Sequence, residues 1–386
     1  MIVIYLFGAG FAKLAPLLFG FFLSSRLGAL PYISFVSLLA FSNFLTAVST
    51  ISYTQLILSS GKLGRETTDF HVASGVSMSI ITSLLGGLWY CFSSVGNSWV
   101  MVMSVIAYSL GNSILTIVIA VHNSKIENKS AGLISLFAYV VAYGAGLMLL
   151  LLDVDALICI WILSIIVLAV GMAFYKKLNI KLLALVMSAS GVRFGWGNLK
   201  ITAFVGCVLF SHATILSGVA GANLPEVAAE FSLAYQLFAV GIFIPSALGN
   251  VMIPRMANSQ KGELFRNSLV LLYLGIAIAW CVIVYIFESL ILEVYGFTSS
   301  GMHNNIVTTL QFSVVFCSLH ALMSQWLASE ARYAEMMIAS VAYLAFIVCA
   351  GSLVGFDARA MAWGFVLSYV FVLIVDILLV KYKWVK

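Results

Sequence analysis

Residues 2–23 read IVIYLFGAGFAKLAPLLFGFFL, an apolar run with one charge, Lys13, at its middle. At ~1.5 Å per residue a helix over this run puts Lys13 about 16 Å from either end. That depth is close to the midplane of a ~30 Å hydrocarbon slab. A membrane-crossing strand would need only ~9–11 alternating residues, so the run reads as a helix. A charge at the midplane costs roughly 2.5–3.5 kcal/mol on insertion scales, and an ionisable residue there points to function unless a partner offsets it. The run has no basic lead and is too long for a cleaved secretory signal, so it reads as a retained first span.

The rest of the chain repeats this pattern. Of 386 residues, 63% are hydrophobic and only 9% are charged, against roughly 25% charged in soluble domains. So few charges cannot cover the surface of a water-soluble fold. Twelve apolar runs are each long enough to cross. They are 2–23, 33–58, 72–95, 99–121, 131–152, 156–175, 201–221, 227–253, 268–294, 304–327, 336–354 and 359–380. The six cysteines form no CxxC pair and lie mostly inside these runs, as small buried hydrophobes do. No metal spacing, redox motif or cofactor motif is present.

The basic residues orient the spans. With a cytoplasmic N-terminus, the inner segments hold Lys62 and Arg65; Lys125 and Lys129; Lys176, Lys177, Lys181, Arg193 and Lys200; Arg255, Lys261 and Arg266; Arg332; and Lys381, Lys383 and Lys386. These are sixteen of the nineteen Lys and Arg residues, and the outer segments keep only Arg26 and Arg359. The expected location is a bacterial inner membrane, with both termini cytoplasmic. The net charge of +5 then needs no nucleic-acid partner, because the positive-inside bias accounts for it.

The longest inter-span segment, 176–200, divides the chain into two halves of six spans. Its apolar middle, Leu182 to Met187, suits a short helix along the interface. The expected organisation is an N-terminal lobe over 1–180, an interlobe linker over 181–200 and a C-terminal lobe over 201–386. An even number of spans per half gives both the same orientation, as in parallel repeats. A weak repeat agrees: Leu30-Pro31 precedes span two, and Leu224-Pro225 precedes span eight, 194 residues later. The fold class is therefore an all-α polytopic membrane protein, with twelve transmembrane helices in two six-helix lobes around a central cavity.

Several spans carry polar residues at helical spacing. Span two has Asn43, Thr46, Thr50 and Tyr53; span four has Tyr108 and Asn112; span eight has Tyr235 and Gln236. His212 sits at the middle of span seven, the counterpart of span one, and His320 lies in span ten. One-sided polarity in lipid faces other helices or a water-filled cavity. Any single hydroxyl is adequately explained by interhelical hydrogen bonding, worth about 0.6 kcal/mol. Rows in several spans, together with a midplane lysine, favour a cavity. His212, Glu230, Glu288 and Asp376 are the residues available to couple an ion. Spans one, seven and eleven lack the midplane carboxylates that a hard-cation site would use. The central sign is positive or neutral and suits an anionic substrate.

The stretch Phe231-Ser232-Leu233-Ala234-Tyr235-Gln236-Leu237-Phe238, followed by Pro245, Ala247-Leu248, Val251 and Pro254-Arg255, resembles Wzx-type O-antigen flippases of the multidrug/oligosaccharidyl-lipid/polysaccharide exporter superfamily. Leu27-Gly28, Tyr32 and Phe35 echo it in the first half. The resemblance implies alternating-access translocation of an undecaprenyl-diphosphate-linked oligosaccharide from the inner to the outer leaflet. It also implies a polymerase and a chain-length regulator of the same pathway as partners. Lys13 would then attract the diphosphate, and the polar rows would hydrogen-bond the sugar. Two other functions fit a chain of this length and hydropathy. An O-antigen polymerase, an enzyme, would need a basic, polar outer loop, and the outer segments here are short. A multidrug antiporter of the same superfamily would want an acid in span one or seven, where this chain has Lys13 and His212.

Overall fold

The computed structural model describes residues 2–59, 65–92, 98–124, 127–178, 196–243, 245, 263–297, 306–330 and 332–382. Among these the chain forms twelve long helices and no strand. They are α1 Ile2–Leu27, α2 Ala29–Ser59, α3 Arg65–Phe92, α4 Trp99–Ser124, α5 Asn128–Leu151, α6 Ala156–Lys177, α7 Trp196–Ala222, α8 Pro225–Gly241, α9 Glu263–Val294, α10 Ile306–Ser329, α11 Tyr333–Val354 and α12 Ala358–Tyr382. Ten are long and apolar enough to cross a membrane; the other two are α1 and α8. Each expected span coincides with a helix, but the helices run past the apolar runs. For example, α3 begins at Arg65 and α9 at Glu263, adding polar turns that hydropathy does not register.

Span eight differs from the expectation. Its helix, α8, runs 17 residues to Gly241, and Ile242 takes a turn. Residues 246–253 of the expected span lie outside the described residues, as do the anticipated interfacial helix at 182–187 and most of the basic loops. A buried backbone carbonyl in lipid must find its donors within the protein, and Pro245 O has two from side chains. Gln325 Nε2 donates to Pro245 O at 3.0 Å, and Tyr273 OH donates to the same carbonyl at 3.3 Å. Tyr273 OH also lies 2.7 Å from Gln325 Oε1, which locks the pair.

Local chemistry sets the other ends. Gly28, at φ +86°, turns α1 into α2 in a single residue, a conformation that costs a side-chain-bearing residue more. Asp155 caps α6, its Oδ1 accepting from Leu157 N at 2.8 Å. Gly355, at φ +62°, ends α11.

The chain forms two compact units. The first comprises Met1–Leu23 and Ser34–Leu209, and the second comprises Ser24–Ile33 and Phe210–Lys386. The boundary thus falls inside α7, and the α1–α2 turn belongs to the second unit. Within that unit, Ser24 Oγ donates to Tyr295 O at 2.7 Å, and Tyr32 is fully buried against Tyr295 and Phe297. In the first unit α4 and α6 pack backbone to backbone at Gly111 and Gly171. Outward faces are apolar: Leu271, Ile278, Ile286 and Leu290 on α9 are exposed, as lipid-facing side chains are. Trp89 and Trp99, exposed near helix ends, suit the headgroup level.

Candidate functional site

Helix α1 has three distinct faces. Ala15, Phe19 and Leu23 are buried, and Phe19 packs edge-on against Phe35 and Tyr143. Phe7, Leu14 and Leu18 form an exposed apolar stripe. Lys13 is exposed too, but lies about 100–140° around the helix from that stripe. It therefore occupies neither the packed face nor the centre of the apolar one. Among the described residues it makes no hydrogen bond and no ion pair. Pro16 follows within the same turn and lacks the N–H that would bond the Ala12 carbonyl, which loosens the helix at this level.

In the first unit the polar rows of α2 and α4 meet. Asn112 Nδ2 donates to Thr46 Oγ1 at 3.4 Å, and Thr46 Oγ1 lies 3.3 Å from Ser109 O. Ser49 and Ser113 hydroxyls are 3.1 Å apart. Helix α5 adds two tyrosines: Tyr139 OH donates to Asn112 Oδ1 at 2.5 Å, and Tyr143 OH sits 2.9 Å from Tyr108 OH. Thr50 bonds its own helix at Thr46 O, 2.7 Å away, and Tyr53 is buried. Asn43 and Asn112 are only half-buried, so of this set they keep the most accessible polar surface.

In the second unit His212 stands inside an aromatic cage. Its Nε2 is 3.0 Å from Tyr343 OH and 3.2 Å from Tyr369 OH, and its Nδ1 is 3.4 Å from Tyr235 OH. Phe238 and Phe365 close the ring. Tyr235 is half-buried, and Gln236 accepts from Tyr32 OH at 3.3 Å. His320 and Asp376 form a second buried group, with Nδ1 and Oδ2 2.6 Å apart. Glu288 accepts from Thr308 N at 3.3 Å and from the Thr308 hydroxyl, so its carboxylate caps the first turn of α10. Glu230 is half-buried on α8.

Polar rows within single spans point to Thr46, Tyr108 and Asn112, and the structure brings these together. They do not point to Tyr139, Tyr143, Tyr343 and Tyr369, which complete both networks. The i, i+4 spacing of Tyr139 and Tyr143 was the available signal, masked because tyrosine counts as apolar in a hydropathy reading.

Both ring nitrogens of His212 already face hydroxyl partners within its own unit. His212→Ala takes a partner from two buried tyrosine hydroxyls, Tyr343 and Tyr369, and from the half-buried Tyr235, at about 1–3 kcal/mol for each group left orphaned. The expected outcome is a lower melting temperature of the detergent-solubilised protein and a partial loss of transport that follows the folded amount. Transport lost at unchanged stability would instead give His212 a direct part in the cycle.

No protein-family model and no curated protein matches the sequence. Solved structures do match it over nearly its full length. One is the inward-facing conformation of a multidrug resistance MATE family transporter of the MOP superfamily (TM-score 0.70, 14% identity, 97% of this chain and 94% of that one). The outward-facing conformation of such a transporter gives TM-score 0.62 at 15% identity, covering 99% and 94%. A MOP superfamily transporter from Pyrococcus furiosus, described as having a binding pocket of reversed polarity, gives TM-score 0.68 at 12% identity, covering 99% and 95%. The likeness is one of fold: this chain has the all-helical architecture of MOP superfamily transporters.

Proposed function

We propose that this chain is a flippase that moves an undecaprenyl-diphosphate-linked O-antigen repeat unit from the cytoplasmic to the periplasmic leaflet of the inner membrane by alternating access. The observation that carries the reading is Lys13, exposed at the middle of an apolar helix and without an ion-pair partner among the described residues. A lysine left uncompensated at that depth costs roughly 2.5–3.5 kcal/mol, and an anionic substrate would offset it. The diphosphate is such an anion, and an ammonium binds phosphate as a point charge. Asn43 and Asn112, both half-buried in the first unit, supply donors and acceptors for sugar hydroxyls, while the lipid tail stays in the bilayer. An anion moving outward across an inside-negative membrane gains about 2.3 kcal/mol per charge per 100 mV, so the potential alone can drive the step.

Multidrug export is the second reading, supported by the fold shared with MATE transporters. A cationic drug would meet repulsion at Lys13 rather than attraction. Deleting the gene separates the two. The flippase reading expects loss of surface glycan, accumulation of the lipid-linked unit and unchanged drug sensitivity. Normal surface glycan with raised drug sensitivity would establish the drug exporter.

A further inference from the structure

His320 on α10 and Asp376 on α12 stand 56 residues apart in sequence and face each other inside the second unit. Asp376 is 0% exposed and His320 6%. The carboxylate spends one oxygen, Oδ2, on His320 Nδ1 at 2.6 Å, and its other oxygen, Oδ1, is buried without a partner. A buried carboxylate oxygen with no donor is costly and is retained where it does something. The anion site at Lys13 makes no use of this pair.

The surroundings define its ligand. Among the described residues no third His, Cys, Asp or Glu joins the pair in a group able to hold a metal ion. Titratable or charged groups described on the helices packed around it are Cys317 on α10; Arg359, Tyr369 and Lys381 on α12; Tyr333, Tyr343, Cys349 and the Arg332–Glu335 pair on α11; Glu226, Glu230 and Tyr235 on α8; and Tyr273, Cys281, Tyr285, Glu288 and Glu293 on α9. Arg332 Nε pairs with Glu335 Oε1 at 2.9 Å, and its Nη2 donates to Leu379 O at 2.9 Å, one turn beyond Asp376. Those two nitrogens of the arginine are engaged there, while its Nη1 lies 3.7 Å from Glu330 Oε2 and makes no hydrogen bond. In the other direction the Tyr369 ring lies 6.3 Å from His320, and the Tyr369 hydroxyl is 3.2 Å from His212 Nε2. Polar groups thus run from Asp376 through His320 and Tyr369 to the His212 cage, in an otherwise apolar helix bundle.

We propose that the His320–Asp376 pair is a proton-binding site that couples proton entry to substrate export. With one shared proton the pair carries a net charge of −1; with two it is neutral. One proton taken from the outer side and released to the cytoplasm per cycle changes the buried charge by one unit and returns the pair to its starting state. Both this inward cation movement and the outward anion movement run down an inside-negative potential, so they add. The coupling rests on the transport reading above; the protonation does not.

The test therefore has two parts. In the first, the full chain is reconstituted in neutral phospholipid vesicles and the pH is stepped between neutral and acid. Infrared difference spectra in H2O and D2O read the carbonyl stretch of a buried, protonated carboxyl. The expected result is a band that disappears in Asp376→Asn and whose midpoint moves by about one pH unit or more in His320→Gln, as for two interacting groups. A band of full amplitude in Asp376→Asn overturns the assignment. Should Asp376→Asn fail to fold, His320→Gln decides alone, and an unmoved midpoint overturns it. A band displaced by exchanging K+ for Na+ at constant pH would make the ligand sodium and overturn it as well. In the second part, the pH gradient of cells is collapsed at constant membrane potential. Surface-glycan export should fall severalfold in the wild type and stay unchanged in His320→Gln; equal inhibition of both overturns the coupling. Loss of the deletion phenotype would sink the flippase reading while leaving the infrared result intact.

Discussion

Lys13→Ala is expected to abolish surface O-antigen, if the flippase reading holds, while leaving the amount of protein in the membrane unchanged or higher. The direction on abundance follows from insertion energetics. Removing a midplane charge makes α1 easier to insert by roughly 2.5–3.5 kcal/mol, so lost function cannot be assigned to lost protein. The direction on function follows from the anion. A hydrogen bond to a charged group contributes about 1.5–3 kcal/mol, which is roughly a tenfold to hundredfold loss of affinity for the diphosphate. Lys13→Glu replaces attraction with repulsion and leaves no activity. Lys13→Arg keeps the charge but spreads it over a larger planar group, so it retains part of the activity. Full activity of Lys13→Ala at normal protein levels would remove the anion site from the account.

Rotation of α1 was the one thing about this lysine that the sequence could not supply. Composition places Lys13 at the midplane, but a half-turn of the helix would put it against lipid. In the structure Phe7, Leu14 and Leu18 form an exposed apolar stripe, and Lys13, itself exposed, lies about 100–140° round the helix from it. The helices themselves were legible because each needs about twenty apolar residues, a signal strong enough to survive without any relative. Their ends were not, since turns such as Arg65–Thr68 are polar and lie beyond the apolar runs. The break in α8 at Gly241 was also hidden. Its apolar composition continues to residue 253, and only the tertiary donors Gln325 and Tyr273 reveal how Pro245 is satisfied. Pairings across helices, His320 with Asp376 above all, have no periodicity within either partner's helix.

The second large effect is on folding. Gly111→Val is expected to keep the first unit from assembling. A Cβ at Gly111 would sit 2.5 Å from Leu168 N and 2.6 Å from Leu168 Cα, both backbone atoms of α6. The reciprocal position is equally tight, since a Cβ at Gly171 would lie 2.9 Å from Gly111 O. No rotamer change relieves a clash with backbone, so the two helices must move apart. Small residues at membrane crossings exist to permit such approach, and overpacking costs about 1–3 kcal/mol even where side chains can yield. The same crossing holds Asn112, so its separation also dismantles the Thr46–Asn112–Tyr139 contacts. Gly144→Ala is the control, because a Cβ there meets nothing within 4 Å. Size-exclusion profiles of detergent extracts should show Gly111→Val largely aggregated and Gly144→Ala monodisperse. A monodisperse Gly111→Val with an unchanged melting temperature would contradict the packing described.

The central claim is that this chain carries an anionic, lipid-linked saccharide across the membrane through Lys13. Its most direct test is leaflet-resolved detection of that lipid in cells expressing the wild type or Lys13→Ala at matched levels. The account predicts the undecaprenyl-linked repeat unit in the outer leaflet with the wild type and its confinement to the inner leaflet with Lys13→Ala. The same leaflet distribution in both strains would contradict it.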